Sequence, residues 1–213
     1  FKDSGIKIMR LYYSRPSPFA RKALVALIET NQIDNVTLEE VKISPLDPGD
    51  IVPKVNPLGK IPTLILPDGS SLSESKFICR YIDELNNYKN SEKLYPIDEN
   101  IWKTLQHEAL SDGILEAAVL LVYEKRIRTQ QQRVKEWVNA QQLKISRTLE
   151  YFEDHTSELE KYVDMGSLTV AIALDYLDFR HDDINWKKNC PTLSDWHKNI
   201  KDRKSLVQTS PND

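Results

Sequence analysis

Cysteine is scarce in this chain. Of 213 residues only two are cysteine, Cys79 and Cys190. They lie far apart, form no C-x-x-C motif, and are expected to remain thiols. Strong charge of either sign is also missing. A net charge of -3 gives no general attraction to nucleic acid or to anionic lipid. Long apolar runs are absent too. The stretch from Ala117 to Tyr123 is far shorter than the roughly 20 residues a bilayer-spanning helix needs. Residues 1–8 carry two lysines but no apolar core, so no secretory signal pattern is read there. The four histidines show no metal-ligand spacing, and no metal is expected. What is present is the composition of a globular protein, 40% hydrophobic and 29% charged, long enough for one large or two small domains. The default compartment is the cytoplasm.

The most informative stretch runs from Asn56 to Ser75, NPLGKIPTLILPDGSSLSES. Pro62 precedes the apolar run Thr63–Leu66, so it belongs at the start or edge of a strand. Asp68-Gly69 breaks the run as a two-residue hairpin signal. Glu74 and Ser75 then stand before Ile78, Tyr81, Ile82 and Leu85, which repeat at helical spacing. A helix N-terminus offers free N–H groups to a carboxylate, and Glu74 beside it offers a partner to an ammonium. Together with an exposed strand edge, that combination suits a small zwitterionic peptide.

Upstream, residues 1–8 read as an extension before Met9, and Arg10–Tyr13 as a first strand. Ser17-Pro18 is a standard helix start, with serine at the N-cap and proline at N1. Ala20, Ala23, Leu24, Leu27 and Ile28 give that helix an apolar face. Val36–Ile43 is a second strand candidate, followed by an irregular segment rich in proline. Asn86–Asn100 is polar and reads as a linker. Beyond it no convincing strand remains. Trp102 to Val122 suggests one long helix with a bend. Gln130–Phe152 reads as another, Leu168–Phe179 as a buried central helix, and Leu193–Ile200 as the last.

N-P-x-G-K-[IV]-P followed by E-S before a helix resembles the glutathione-binding half of the glutathione transferases. Ser17-Pro18-Phe19-Ala20-Arg21-Lys22 is similar to the loop of their serine-type classes. Tyr176–Arg180, Pro191-x-Leu193-x-x-Trp196 and Arg203-x-Ser205 match many bacterial members. The resemblance covers nearly the whole chain from Met9. It implies an α/β plus all-α protein: a thioredoxin-like glutathione-binding domain over residues 1–87, a linker over 88–100, and a helical-bundle domain carrying the electrophile pocket over 101–213. It further implies a cis peptide before Pro62 and a homodimer. It implies glutathione as co-substrate with no tightly bound cofactor, a small electrophile as partner, and a role in detoxification. The family's Ser/Thr-x-x-Asp capping box is met here in swapped order by Asp164 and Ser167.

The same resemblance assigns roles. Ser17 would donate a hydrogen bond to the glutathione sulfur, where local sequence alone makes it a plain N-cap. Lys60 would contact the glycine carboxylate, or stay a solvated lysine. Ile61 and Pro62 would pair with the peptide backbone as an added strand does. Glu74 and Ser75 would anchor the γ-glutamyl end. Glu116 matches an acid that reaches the neighbouring subunit's ligand in several classes; an ordinary helix carboxylate is the simpler reading. Tyr13, Phe19, Trp102, His107 and Tyr123 are candidates for the electrophile pocket, or for core. A free thiol has a pKa near 8.5. One hydrogen bond to a charged sulfur is worth about 1.5–3 kcal/mol and a helix N-terminus about 0.3–1 kcal/mol. A serine at a helix end is thus expected to lower that pKa by roughly 1–3 without a general base. The alternatives are a non-enzymatic relative that binds or regulates, and a glutathione-dependent thiol oxidoreductase or peroxidase. The latter would favour cysteine at position 17.

Overall fold

The computed structural model describes residues 8–86 and 93–212. Residues 1–7 of the expected extension and 88–92 of the expected linker lie outside them. The chain divides into two compact units, residues 8–94 with 211 and 212, and Tyr95–Ser210.

The first unit opens with β1 (Met9–Tyr13), α1 (Pro18–Glu29) and, after a 3-10 turn, β2 (Val36–Glu40). The second strand is thus shorter than the expected Val36–Ile43. α2 (Val52–Val55), β3 (Thr63–Ile65), β4 (Ser71–Ser73) and α3 (Ser75–Leu85) complete it. The sheet order is β2-β1-β3-β4, with β1 and β2 parallel and the other pairs antiparallel. Leu38, Leu11, Leu64 and Leu72 form one row across all four strands. The hairpin has more than two connecting residues. Leu66 N donates to Ser70 O, and Asp68 accepts from Ser70 N, which leaves Gly69 at φ +91° in the turn.

α1 and α3 pack on one another. Ala20, Ala23, Val25, Ala26 and Leu27 of α1 are buried, as are Ile78, Cys79 and Ile82 of α3. The α3 stripe is narrower than its spacing suggests, since Leu85 stays 43% exposed. Gln32 joins the two helices, donating from Nε2 to Ile82 O (2.7 Å) and to Thr30 Oγ1 (2.9 Å).

The second unit contains helices and no strand among its described residues: α4 (Ile101–Ile127), α5 (Lys135–Asp154), α6 (Thr156–Leu159), α7 (Met165–Arg180), α8 (Trp186–Asn189), α9 (Pro191–Ile200) and α10 (Lys204–Gln208). α4 is one uninterrupted helix. α5 starts later than its pattern suggests, because Gln130–Gln132 forms a separate 3-10 turn capped by Thr129. α7 is the central helix, buried almost throughout. Asp164 Oδ1 accepts from Ser167 N (2.8 Å) and Ser167 Oγ accepts from Asp164 N (3.0 Å), so the swapped capping box closes in both directions. Thr104 Oγ1 donates to the other Asp164 oxygen (2.5 Å). Gly166 lets α7 approach α4 here; a Cβ on it would lie 2.6 Å from Thr104 O. At the other end, His181 Nε2 donates to Ala118 O (2.9 Å).

Candidate functional site

Strand register gathers three of the sequence motifs. Tyr12, Thr63 and Ser73 stand in one row at the same end of the sheet. From that row the chain runs five residues on to Ser17, two residues back to Ile61, and one residue on to Glu74. Ser17, Ile61-Pro62 and Glu74-Ser75 therefore converge at one end of β1, β3 and β4.

Ser17 caps α1 from an extended backbone (φ −80°, ψ 116°). Its N–H donates to Ser14 O (3.0 Å), and its Oγ accepts from Ala20 N (3.2 Å). The capping bond uses a lone pair of the hydroxyl, and no acceptor among the described residues engages its proton. The same oxygen can therefore cap the helix and donate outward. Pro18 at N1 sacrifices no hydrogen bond, because the first N–H groups of a helix have no internal partner.

The second motif depends on a residue that its spacing did not single out. Asn56 is buried, 2% exposed. Its Nδ2 donates to Lys60 O (2.9 Å) and Thr63 Oγ1 (3.0 Å), and its Oδ1 accepts from Leu58 N (3.1 Å). Thr63 Oγ1 itself donates to Lys60 O (2.8 Å). Gly59 has φ +61°, and a Cβ there would stand 2.7 Å from Pro48 Cβ. This network fixes the loop that ends in the cis Ile61-Pro62 bond. Among the described residues no backbone hydrogen bond engages Ile61, so its N–H and C=O remain available to an added strand. Lys60 is exposed.

Glu74 occupies a conformation rare for a side-chain-bearing residue, φ 70° and ψ 121°. Such backbone costs on the order of 1–3 kcal/mol and clusters where function holds it. Its carbonyl accepts from Phe77 N (3.1 Å) and Ile78 N (3.0 Å), while its side chain makes no capping bond and is exposed. Ser75 begins α3 and is buried, 6% exposed. Nothing in the sequence flagged the positive φ.

The aromatic candidates do not form one set. Tyr13 and Phe19 are half-buried in the first unit. In the second, Trp102 is 74% exposed and His107 only 4%. His107 meets Phe152 edge-on (5.9 Å) and lies 3.5 Å from Glu158; burial pushes its pKa down, against the pull of Asp164 and Glu158. His107 is thus a core histidine of the helical unit. Tyr123 is half-buried, with its phenol pKa raised by burial. It stands sixteen residues further along α4, about 24 Å at 1.5 Å per residue, so it shares no small pocket with His107. Glu116 is exposed on α4. Both cysteines are buried and neither is in a disulfide, and burial raises Cys190 to about 11. No group of three metal-ligating side chains occurs among the described residues.

Residues 16–85 match the family model for the glutathione S-transferase N-terminal domain. Over 207 residues the chain is 30% identical to the uncharacterized GST-like protein YibF of Escherichia coli K12, covering 95% of this chain and 98% of that protein. Among solved structures it resembles a glutathione transferase family member from Pseudomonas fluorescens Pf-5 with bound glutathione (37% identity, TM-score 0.92, 96% of this chain and 100% of that one). A structure with bound S-(propanoic acid)-glutathione, also of a family member from Pseudomonas fluorescens Pf-5, matches at 36% identity and TM-score 0.88 over the same shares. With a thioredoxin-like sheet and a helical unit in that order, the chain belongs to the glutathione S-transferase family.

Proposed function

We propose that the protein is a serine-type glutathione transferase that conjugates the glutathione thiolate to small electrophiles. The observation that carries this reading is the convergence of Ser17, Ile61-Pro62 and Glu74-Ser75 at one end of the sheet. Ile61 would pair with the cysteinyl backbone of the peptide. Glu74 and Ser75 would hold its γ-glutamyl end, and Lys60 its glycine carboxylate. Ser17 would donate its uncommitted proton to the sulfur, favouring thiolate without removing the proton itself. Tyr13 and Phe19 are proposed for the electrophile side, and Glu116 for contact with the second subunit of a homodimer. The relatives with bound glutathione or S-(propanoic acid)-glutathione support peptide binding at this site. The proposed setting is detoxification in the cytoplasm. No described helix is long and apolar enough to cross a membrane. Mixed-disulfide chemistry is disfavoured, because Cys79 and Cys190 are 0% and 2% exposed.

The test is calorimetric binding of glutathione, then conjugation of a panel of aryl halides, unsaturated acids, peroxides and disulfides. Micromolar to millimolar glutathione affinity with turnover of the first two classes is expected. Binding without turnover of any class would indicate a ligand-binding relative, and turnover of disulfides alone would indicate an oxidoreductase.

A further inference from the structure

The connection between α4 and α5 gathers positive charge at one end of the helical unit. Between Glu124 and Glu136 the sequence KRIRTQQQRVK holds five bases and no acid, in a chain whose net charge is -3. Folding keeps these bases together. Arg133 reaches back to the end of α4, donating to the carbonyls of Glu124 (3.0 Å), Lys125 (2.9 Å) and Arg128 (3.1 Å). It thereby pins the connection against the helix. Those acceptors are neutral, so the charge of Arg133 stays uncompensated. Arg126 and Lys135 are exposed and have no carboxylate partner among the described residues. Three acids face the patch. Buried Glu124 pairs with Arg128, Asp183 of the turn after α7 lies 3.7 Å from Lys125, and Glu136 follows Lys135 on α5. The Lys125–Asp183 pair is half-exposed on both sides and is readily screened by salt. Against these three acids the five bases leave a local surplus of two positive charges.

Aliphatic side chains are exposed within the same segment. Ile127 is 39% exposed and Val134 59%. Between them Thr129 and Gln130–Gln132 are exposed, polar and uncharged. A surface that combines bases with exposed aliphatic residues fits the headgroup layer of an anionic membrane. It fits a nucleic acid less well, because single-stranded bases stack on aromatic rings. The exposed stretch 125–132 has no such ring, and the flanking Tyr123 and Trp137 are half-buried. We propose that this end of the helical unit is a peripheral docking surface for an anionic bilayer. Arg126, Arg133 and Lys135 face the lipid phosphates and carboxylates, and Ile127 and Val134 enter the boundary between headgroups and acyl chains. Two surplus charges at an anionic surface correspond to roughly 30-fold tighter binding. The docking is reversible and makes no covalent bond.

Cosedimentation of the full chain with vesicles tests this. One set is pure phosphatidylcholine, the other equal parts phosphatidylcholine and phosphatidylserine. At low salt wild type is expected to partition onto the anionic vesicles about 10–30-fold more strongly, and to lose most of that preference near 0.5 M salt, at about a 4 Å screening length. Arg126→Gln should lower binding to the anionic vesicles about 5-fold, and Arg126→Gln/Lys135→Gln should bring the preference close to one. Val134→Ser should weaken it roughly 2–5-fold. Lys161→Gln makes the same change in net charge at the opposite end of α4, where Tyr162 donates to Asn100 Oδ1 (2.7 Å), and should leave the preference nearly unchanged. Equal partitioning of wild type onto both vesicles overturns the proposal. So does a loss in Lys161→Gln equal to that in Arg126→Gln, which would reduce the effect to net charge. Binding of a single-stranded oligonucleotide without binding to the anionic vesicles overturns it in favour of a nucleic-acid surface.

Discussion

Asn56→Ala removes the buried support of the loop before Pro62, and the cost can be worked from its partners. Three neutral hydrogen bonds disappear, to Lys60 O, Thr63 Oγ1 and Leu58 N. At about 0.5–1.5 kcal/mol each, the gross loss is about 1.5–4.5 kcal/mol. Two features reduce it. Lys60 O keeps its bond from the Thr63 hydroxyl, and Leu58 is exposed enough for water to reach its N–H. A net loss of about 2–3 kcal/mol follows. In urea unfolding this corresponds to a midpoint lowered by about 1 M. Asn56→Asp sharpens the test, because it keeps the acceptor for Leu58 N and replaces both donors. A buried carboxylate would then face Lys60 O, so at neutral pH the Asp variant should be at least as unstable as the Ala variant. Lowering the pH should narrow the gap between them, since protonation restores a donor. Glutathione affinity should fall in both variants, because Ile61 loses its fixed position. A change below 0.5 kcal/mol in Asn56→Ala, or an Asp variant as stable as wild type, would refute the assignment.

Two further outcomes follow from the helical unit. Arg133 clasps the end of α4, donating from Nε to Glu124 O (3.0 Å) and from Nη2 to Lys125 O (2.9 Å) and Arg128 O (3.1 Å). Arg133→Ala should cost about 1–2 kcal/mol in thermal unfolding, and Arg133→Lys should recover little of it, because lysine lacks the planar fork. His181 is buried and its pKa is lowered chiefly by that burial. Its folded pKa thus lies below the unfolded value near 6.5, so the stability it contributes is complete above about pH 6.5 and is lost as pH falls through the folded value. His181→Gln should flatten the acid side of a melting-temperature profile between pH 8 and pH 5; parallel profiles would remove His181 from this role.

Much of the fold was legible because it is written in local patterns. Ser17-Pro18 announced a helix start, the proline at position 62 a strand start or edge, and the largely apolar run Leu168–Phe179 a buried helix. The swapped Asp164–Ser167 box could be read because capping chemistry is the same in either order. Less legible were features set by tertiary contact. Asn56 entered only as the first letter of its motif, with no role assigned, and only the folded loop shows its amide spanning Lys60 and Thr63. The positive φ of Glu74 has no sequence signal, since glycine would be the usual occupant. His107 and Tyr123 shared aromatic character and one helix, but a rise of 1.5 Å per residue separates them. Leu85 continues the α3 stripe yet stays exposed, because periodicity marks a face and not how far the core extends along it.

The most direct test of the central claim is the pKa of the bound glutathione thiol, followed by thiolate absorbance in wild type and in Ser17→Ala. The account predicts a wild-type value below the ordinary 8.5 by about 1–3 and a rise of about 1–2 in the variant, from loss of one hydrogen bond to a charged sulfur. Conjugation at neutral pH should then fall by roughly 10–100-fold and recover in part as pH is raised. Glutathione affinity should stay nearly intact. Removing the cap should also lower stability by about 0.5–2 kcal/mol, whichever role Ser17 plays. An unchanged thiol pKa accompanied by a lower melting temperature would contradict the catalytic role and leave Ser17 as the N-cap of α1 alone.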